Sequence, residues 1–352
     1  MRIKLISNMY PSEKDSLFGV FVKKTVNALK GCGADFTQKI VIRGKRNNKI
    51  KKIFTYLSYY YKGIISILDK NYDLVYIHFL THNIPLILIH KIFQDKPLII
   101  NLHGSDIHQI KLNSKIDVWQ ERILYNVDAI VVPSLYFKKK LSKRYSSLSS
   151  NQIFIYPSGG LDLTIFKPER KINKKLMISF VSRIDEGKGW KDFLKIIESL
   201  NNSGINAKAI IAGDGKQRSN LINEINNHPF HEKIEYIGFQ TKKELAKIYQ
   251  SSEIFIFPTE LPESLGLVGL EAMACGSVVF ARNIGGPTGY INHNLNGYLF
   301  DNVNEAVQLI IDYIQLSNKE KNSIQNNALK TSKNYEEKKV ALDLYTNFKN
   351  YA

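Results

Sequence analysis

The chain has 352 residues, 44% of them hydrophobic, two cysteines and a formal net charge of +17. That length and apolar content suffice for two α/β domains, while the widely separated Cys32 and Cys275 exclude a disulfide framework and fit a reducing cytoplasm. The most apolar region, residues 84–100, is broken by His90, Lys91, Gln94, Asp95 and Lys96, so no membrane-spanning helix is expected; the apolar part of residues 1–7 is too short for a signal peptide and reads as a first strand.

In chain order, the first half reads as strands over 3–7, 39–42, 74–78, 98–102 and 129–132, with helices over 19–33, 53–68 and 85–93. This alternation predicts a doubly wound parallel sheet. Turn residues and charges between 157 and 175 suggest an interdomain linker. The second half repeats the rhythm, with strands over 177–181, 207–212, 234–237, 254–257 and 278–281 and helices over 190–200, 218–226, 242–250 and 266–275. A mostly helical tail runs from 305 to 348. The expected organisation is an N-terminal acceptor-binding domain over 1–163, a nucleotide-sugar-binding domain over 164–334, and a terminal helix over 335–352 packing back on the first domain. Two such α/β halves place a ligand at the carboxyl ends of their strands, in a cleft between them.

Polar and glycine residues stand where that rule wants them. After the strand at 98–102 comes His103-Gly-Ser-Asp106, and a neutral imidazole there can hydrogen-bond a sugar hydroxyl. Gly19 lies in the first strand-to-helix connection, where a loop can approach a phosphate or an acceptor. Ser182-Arg183 and Lys188-Gly189 follow the strand at 177–181, and their cations suit a diphosphate whose charge grows on leaving. Gly213-Asp214-Gly215 is a weak glycine signal that a tight turn also explains. Gly238-Phe239 follows another strand, where a backbone edge could meet a nucleobase, although the local sequence alone favours a plain strand-end turn. The paired Gly285-Gly286 either admits a ligand or makes a turn.

The densest signal is Pro258-Thr-Glu-Leu-Pro-Glu263-Ser-Leu-Gly266-Leu-Val-Gly-Leu-Glu271-Ala-Met-Ala-Cys-Gly276, which follows a buried strand. Gly266, Leu267 and Val268 open a helix whose free N–H groups and dipole suit a diphosphate. Glu263 and Glu271 are then available to sugar and ribose hydroxyls. A carboxylate-started helix packing Leu267, Leu270 and Met273 into a core is the alternative that the local sequence leaves open.

Taken together these residues are similar to the E-x7-E signature of retaining glycosyltransferases of the GT-B fold, glycosyltransferase family 4. Asn8-Met-Tyr-Pro11, Gly19 and His103-Gly-Ser-Asp106 match more loosely. Departures are Pro157-Ser-Gly-Gly-Leu-Asp162, the single Gly19, and Ser252-Glu253, where relatives favour Asn-Gly-Val-Asp, a glycine pair and Ala-Asp. The resemblance implies two Rossmann-like domains, a nucleotide-sugar donor with UDP first and GDP second, and no metal or other cofactor. It assigns Glu271 to the ribose, Glu263 and His103 to the donor sugar, and Arg183 and Lys188 to the diphosphate. The leaving phosphate helps deprotonate the acceptor. A GT-B nucleotide-sugar epimerase and a non-catalytic basic membrane-binding protein are the competing readings.

Charge is uneven along the chain. Residues 1–165 hold 25 Lys and Arg against 11 Asp and Glu, whereas residues 166–352 hold 24 against 21. Basic residues at 43–52 precede Ile53-Phe-Thr-Tyr-Leu-Ser-Tyr-Tyr-Tyr61, and a second cluster runs from Tyr136 to Arg144. Such pairing suits an anionic membrane surface; alternatively, Phe54, Leu57 and Tyr61 are the core face of a helix. No nucleic-acid-binding module is recognisable. The expectation is a cytoplasmic enzyme peripheral to the inner face of the plasma membrane, acting on a lipid-linked or growing glycan in surface-polysaccharide assembly.

Overall fold

The computed structural model describes residues 1–46, 48–104, 115–169 and 176–352. Ser105 and Asp106, and the linker charges from Arg170 to Lys175, lie outside the described residues. The chain divides into two compact units, Met1–Gly160 with Glu337–Ala352, and Leu161–Glu336. The chain passes between the units at 160/161 and 336/337, and the Leu161 N–H donates to the Tyr335 carbonyl within the second unit.

In the first unit β1 (Arg2–Tyr10), β2 (Asp35–Arg43), β3 (Leu74–His78), β4 (Leu98–Asn101), β5 (Ala129–Val132) and β6 (Ile153–Ile155) form one parallel sheet in the order β2-β1-β3-β4-β5-β6. The strands β3, β4 and β5 are buried along their whole length, as both-face coverage by helices demands. Alternation sends Val75, Ile77, Ile100, Ile130 and Val132 to one face. There they meet α2 (Lys49–Ile65), α3 (Ile84–Phe93), α4 (Lys115–Tyr125) and α5 (Leu135–Arg144). Ile3, Leu5, Leu74, Tyr76, Ile99 and Val131 face α1 (Val20–Gly31) and the terminal α12 (Glu337–Lys349), through Val26, Leu29, Leu344 and Phe348.

The helix α2 overturns the core-face alternative for Phe54, Leu57 and Tyr61. They are exposed, as are Ile50, Ile53, Ile64, Ile65 and Leu68. The buried side is instead Tyr59 and Gly63, with Tyr56 and Tyr60 partly packed. At Gly63 a β-carbon would lie 2.5 Å from Leu86 Cδ2, so glycine lets α3 approach closely. The second basic cluster also has a structural share. Phe137 is fully buried, Lys138 Nζ donates to the Ser150 and Ile153 carbonyls at 2.8 Å each, and Arg144 pairs with Asp117 at 2.9 Å.

The second unit is built from β7 (Met177–Val181), β8 (Lys208–Ala212), β9 (Ile234–Tyr236), β10 (Ile254–Phe257), β11 (Val278–Arg282) and β12 (Tyr298–Phe300), all parallel, in the order β9-β8-β7-β10-β11-β12. Counted within the unit this is 3-2-1-4-5-6, the Rossmann order, and it reverses direction between β7 and β10. One face packs on α6 (Trp190–Asn202), α7 (Arg218–Asn226) and α10 (Val303–Gln315). The other packs on α8 (Lys242–Ser251), α9 (Leu267–Ala274) and α11 (Asn318–Lys333). Such a sheet binds ligands beyond the carboxyl ends of the two strands at the reversal.

Candidate active site

The loops after β7 and β10 carry the sequence-predicted residues Arg183, Lys188 and Glu263, and α9, which follows the second loop, carries Glu271. Their approach is set by backbone. The Glu260 N–H donates to the Gly187 carbonyl at 2.9 Å, and the buried Thr259 hydroxyl donates to the same oxygen at 3.3 Å. At Gly189, φ is +77° and a β-carbon would lie 2.0 Å from the Pro258 carbonyl oxygen, so the two loops touch only because that residue is glycine. The result is a Lys188 Nζ–Glu263 Oε1 ion pair of 2.5 Å, with Lys188 buried and Glu263 partly open.

Arg183 differs. Its side chain is 72% exposed and pairs with Asp185 at 3.1 Å. It is an exposed, ion-paired cation, whereas Lys188 is buried in its pair with Glu263.

The paired glycines hold Glu263 itself. A β-carbon on Gly285 would lie 2.6 Å from the Glu263 nitrogen, and the Gly286 N–H donates to the Glu263 carbonyl at 2.7 Å. They position the carboxylate's backbone, within a turn that leads into the short 3-10 helix Gly286–Gly289.

Gly266 is the left-handed N-cap of α9, with φ +80°. Leu267 and Val268 therefore occupy the first helical positions, whose N–H groups have no acceptor within the helix. Tyr290 braces that end: its hydroxyl donates to the Gly266 carbonyl at 2.9 Å, in the space left by Gly269. Glu271 sits one turn on and accepts from the Tyr249 hydroxyl at 3.4 Å. Burial first, then the Glu271 charge, holds the Tyr249 phenol well above its ordinary value, so it stays a donor. Neither tyrosine was singled out from sequence. Each partner lies more than twenty residues away, and no local pattern marks such a pair.

Gly213 also has a packing role. Its φ is +139°, and a β-carbon would lie 1.8 Å from the Ser182 carbonyl. Phe239, by contrast, is 77% exposed after β9 and presents a free ring face for stacking.

His103 belongs to the first unit, directly beyond β4. Its Nε2 lies 2.9 Å from His78 Nδ1, with the rings stacked at 14°. Phe21 and Phe79 close over it at 4.6 and 4.5 Å between centroids. Phe79 is held at φ +69° by Asn83, whose amide donates to the His78 and Phe79 carbonyls. His78 Nε2 is buried without a partner among the described residues. A bare nitrogen is less costly there than an orphaned N–H, so the proton sits on His78 Nδ1 and His103 Nε2 accepts. That places the His103 proton on Nδ1.

Burial pushes His103 down to about 3 and, with the neighbouring His103, holds His78 well below the ordinary histidine value. Both rings are neutral at physiological pH. The unfolded chain binds protons below about pH 6.5 that the folded chain refuses, so their contribution is intact above pH 6.5 and is lost as pH falls towards 3. The slope is at most about 1.4 kcal/mol per pH unit for each ring. The thermal midpoint of His103→Gln is accordingly expected to fall less than that of wild type between pH 6.5 and 5; equal falls would contradict the buried neutral imidazole.

Gly19 caps α1 at φ +71°, and a β-carbon there would lie 2.6 Å from the Met9 carbonyl carbon. Its conformation serves the close approach of the loop to β1.

Two family models match consecutive parts of the chain: "Glycosyltransferase Family 4" over residues 25–159 and "Glycosyl transferases group 1" over residues 162–331. Among curated proteins, an uncharacterized glycosyltransferase of Methanocaldococcus jannaschii is 33% identical over 121 residues, 34% of this chain and 30% of that protein. An uncharacterized protein of the cps region of Klebsiella pneumoniae is 28% identical over 215 residues, 57% of this chain and 56% of that one. The chain thus spans less than two thirds of the length of these two relatives. Among solved structures, the Anabaena HepE protein in complex with UDP superimposes with a TM-score of 0.77 at 15% identity, over 99% of this chain and all of that one. With two Rossmann-like units and the two family models matching consecutive parts of it, the chain is a GT-B glycosyltransferase related to family 4 and group 1.

Proposed function

We propose that this protein transfers a sugar from a UDP-sugar to a lipid-linked or growing glycan acceptor, with retention of anomeric configuration and without a metal, in the assembly of a surface polysaccharide. The observation that carries the reading is the ion pair of the buried Lys188 with the partly open Glu263, on the loops after the two strands at the sheet's reversal point, with Glu271 on the helix that follows. The likeness to a UDP-bound structure and to a cps-region protein supports UDP and polysaccharide as the first candidates.

In this mechanism Glu271 accepts from the ribose hydroxyls, the N–H groups of Leu267 and Val268 meet the diphosphate, and Phe239 stacks on the base. Lys188 and the rim cation Arg183 neutralise the charge that grows on the leaving diphosphate. Glu263 orients the donor sugar. The bond from the anomeric carbon to the phosphate oxygen breaks as the acceptor oxygen bonds on the same face. The acceptor's proton passes to the departing phosphate. Proton NMR of the product from a UDP-sugar and a membrane-extracted acceptor tests this. An axial donor must give an axial product; an inverted product, or a free epimerised donor formed without acceptor, overturns it.

The acceptor side rests on the first unit. With its terminal helix this unit holds 28 Lys and Arg against 12 Asp and Glu; the second holds 21 against 20. The outward stripe of α2 is flanked in sequence by Lys49, Lys51, Lys52 and Lys62, and Ile92 and Phe93 of the neighbouring α3 are exposed as well. A basic helix with an unburied apolar face suits the interface of an anionic bilayer. No helix among the described residues is long and apolar enough to cross a membrane. We read this face as peripheral, at the inner leaflet.

A further inference from the structure

The helix α9 has only eight residues, and the two groups that the donor reading asks of it, the Leu267 N–H and the Glu271 carboxylate, lie one turn apart. So short a helix is marginal alone and takes its geometry from what it packs against. Its N-cap, Gly266, has no side chain to cap with and stands at φ +80° and ψ +55°, where a residue without a β-carbon lets the following peptide rotate at little cost. A flip of that peptide would turn the Leu267 N–H away from a diphosphate.

Tyr290 removes that freedom. The Gly266 carbonyl accepts from the Gly269 N–H at 3.1 Å and from the Tyr290 hydroxyl at 2.9 Å, so both of its lone pairs are engaged. The peptide is planar and trans, so the Leu267 N–H points opposite to that carbonyl and is aimed by whatever holds it. The phenol reaches it because residue 269 is glycine: a β-carbon there would lie 2.3 Å from the Tyr290 hydroxyl oxygen. Burial first, then Tyr335 and the charges of Glu263 and Glu271, hold this phenol well above its ordinary value, so it remains a donor. Tyr249 is fixed separately, from α8. It is fully buried, its ring stands edge-on to Phe255 at 5.4 Å, and its carbonyl accepts from the buried Ser277 hydroxyl at 2.6 Å. Its own hydroxyl donates to Glu271 Oε2.

We propose that Tyr290 and Tyr249 are positioning residues for the nucleotide, one for each half of it: Tyr290 aims the Leu267 N–H at the diphosphate, and Tyr249 sets the Glu271 carboxylate toward the ribose. The proposal rests on the transferase reading and adds two side chains that act through α9 rather than on the substrate. A carboxylate accepts at both oxygens, so holding Oε2 fixes where Oε1 is presented. Each phenol works through one hydrogen bond. Removing a hydroxyl must therefore disturb one half of the nucleotide and spare the other, whereas a general loss of packing around α9 would disturb both alike.

The test is titration calorimetry on the full chain with UDP, with uridine, and with the UDP analogue that lacks both ribose hydroxyls, the two weaker ligands being measured by competition with UDP. Wild type, Tyr290→Phe, Gly269→Ala and Tyr249→Phe are compared. Loss of one hydrogen bond is expected to change a preference by about three- to tenfold. In Tyr290→Phe the preference for UDP over uridine should shrink by that factor, with the preference for UDP over the dideoxy analogue kept. Gly269→Ala, whose β-carbon takes the place of the hydroxyl, should give the same pattern with the phenol intact. In Tyr249→Phe the preference over the dideoxy analogue should shrink and the preference over uridine should hold. A variant in which the two preferences stay, fall together or exchange overturns the role of its residue. Failure of wild type to bind UDP, or its equal binding of UDP and the dideoxy analogue, overturns the donor reading instead.

Discussion

Replacing Lys188 by methionine is expected to lower kcat/KM for sugar transfer by about 10²–10³-fold, the cost typical of removing one preorganised group from a developing anion. Methionine keeps most of the volume in a buried position. The folded state loses an ion pair whose other member, Glu263, retains partial contact with water, so the loss of stability should be smaller than the several kcal/mol seen when a fully buried pair is broken. Arg183→Ala is the internal control. That guanidinium is solvated and already paired, and such surface charges are individually weak, so a loss of about tenfold or less is expected. Initial rates over a range of donor concentrations decide. A larger effect at Arg183 than at Lys188 would mean that burial and fixation of the cation are not what the diphosphate uses.

The second large effect concerns the outer face of α2. Phe54→Ser, Leu57→Ser and Tyr61→Ser together should abolish co-sedimentation with phosphatidylserine vesicles at 0.1 M salt. Burying a large apolar side chain contributes roughly 1.5–3 kcal/mol when complete. Partial insertion of three such side chains is therefore worth a few kcal/mol, or about 10²–10³-fold in partitioning. Because all three are exposed in the folded chain, the thermal midpoint should hardly move. Unchanged sedimentation of the triple variant would transfer the role to the lysines alone, and absence of wild-type binding at every salt concentration would remove the membrane from the account.

The segment around Glu263 and Glu271 shows why the fold class was legible. A fully buried four-residue strand, a turn-rich loop, a left-handed glycine and a short helix are each encoded within a few residues, and β10, Gly266 and α9 follow them. What local pattern lacks is direction. The α2 sequence carries two apolar stripes, one of tyrosines and one of aliphatic residues with Phe54, and a period near 3.6 does not state which faces the sheet. Packing decides: Gly63 admits Leu86, and the Tyr59 hydroxyl bonds Asn83. Similarly, nothing in the order Arg183–Lys188 tells which cation is buried, since that follows from the contact of Gly189 with Pro258. The helices α4 and α5 and the strand β6 escaped the sequence reading because each is short or strongly charged; α5 buries only Phe137 and Leu141.

The donor site is the account's central claim, and Glu271 its most specific element. Titration calorimetry of UDP, GDP and ADP, without added metal, into wild type and Glu271→Ala tests it directly. Hydrogen bonds to a charged group contribute about 1.5–3 kcal/mol, so UDP should bind wild type in preference to the other two and roughly 10–100-fold more weakly in the variant. Equal UDP affinity in the two proteins, or no nucleotide binding by wild type, would contradict it.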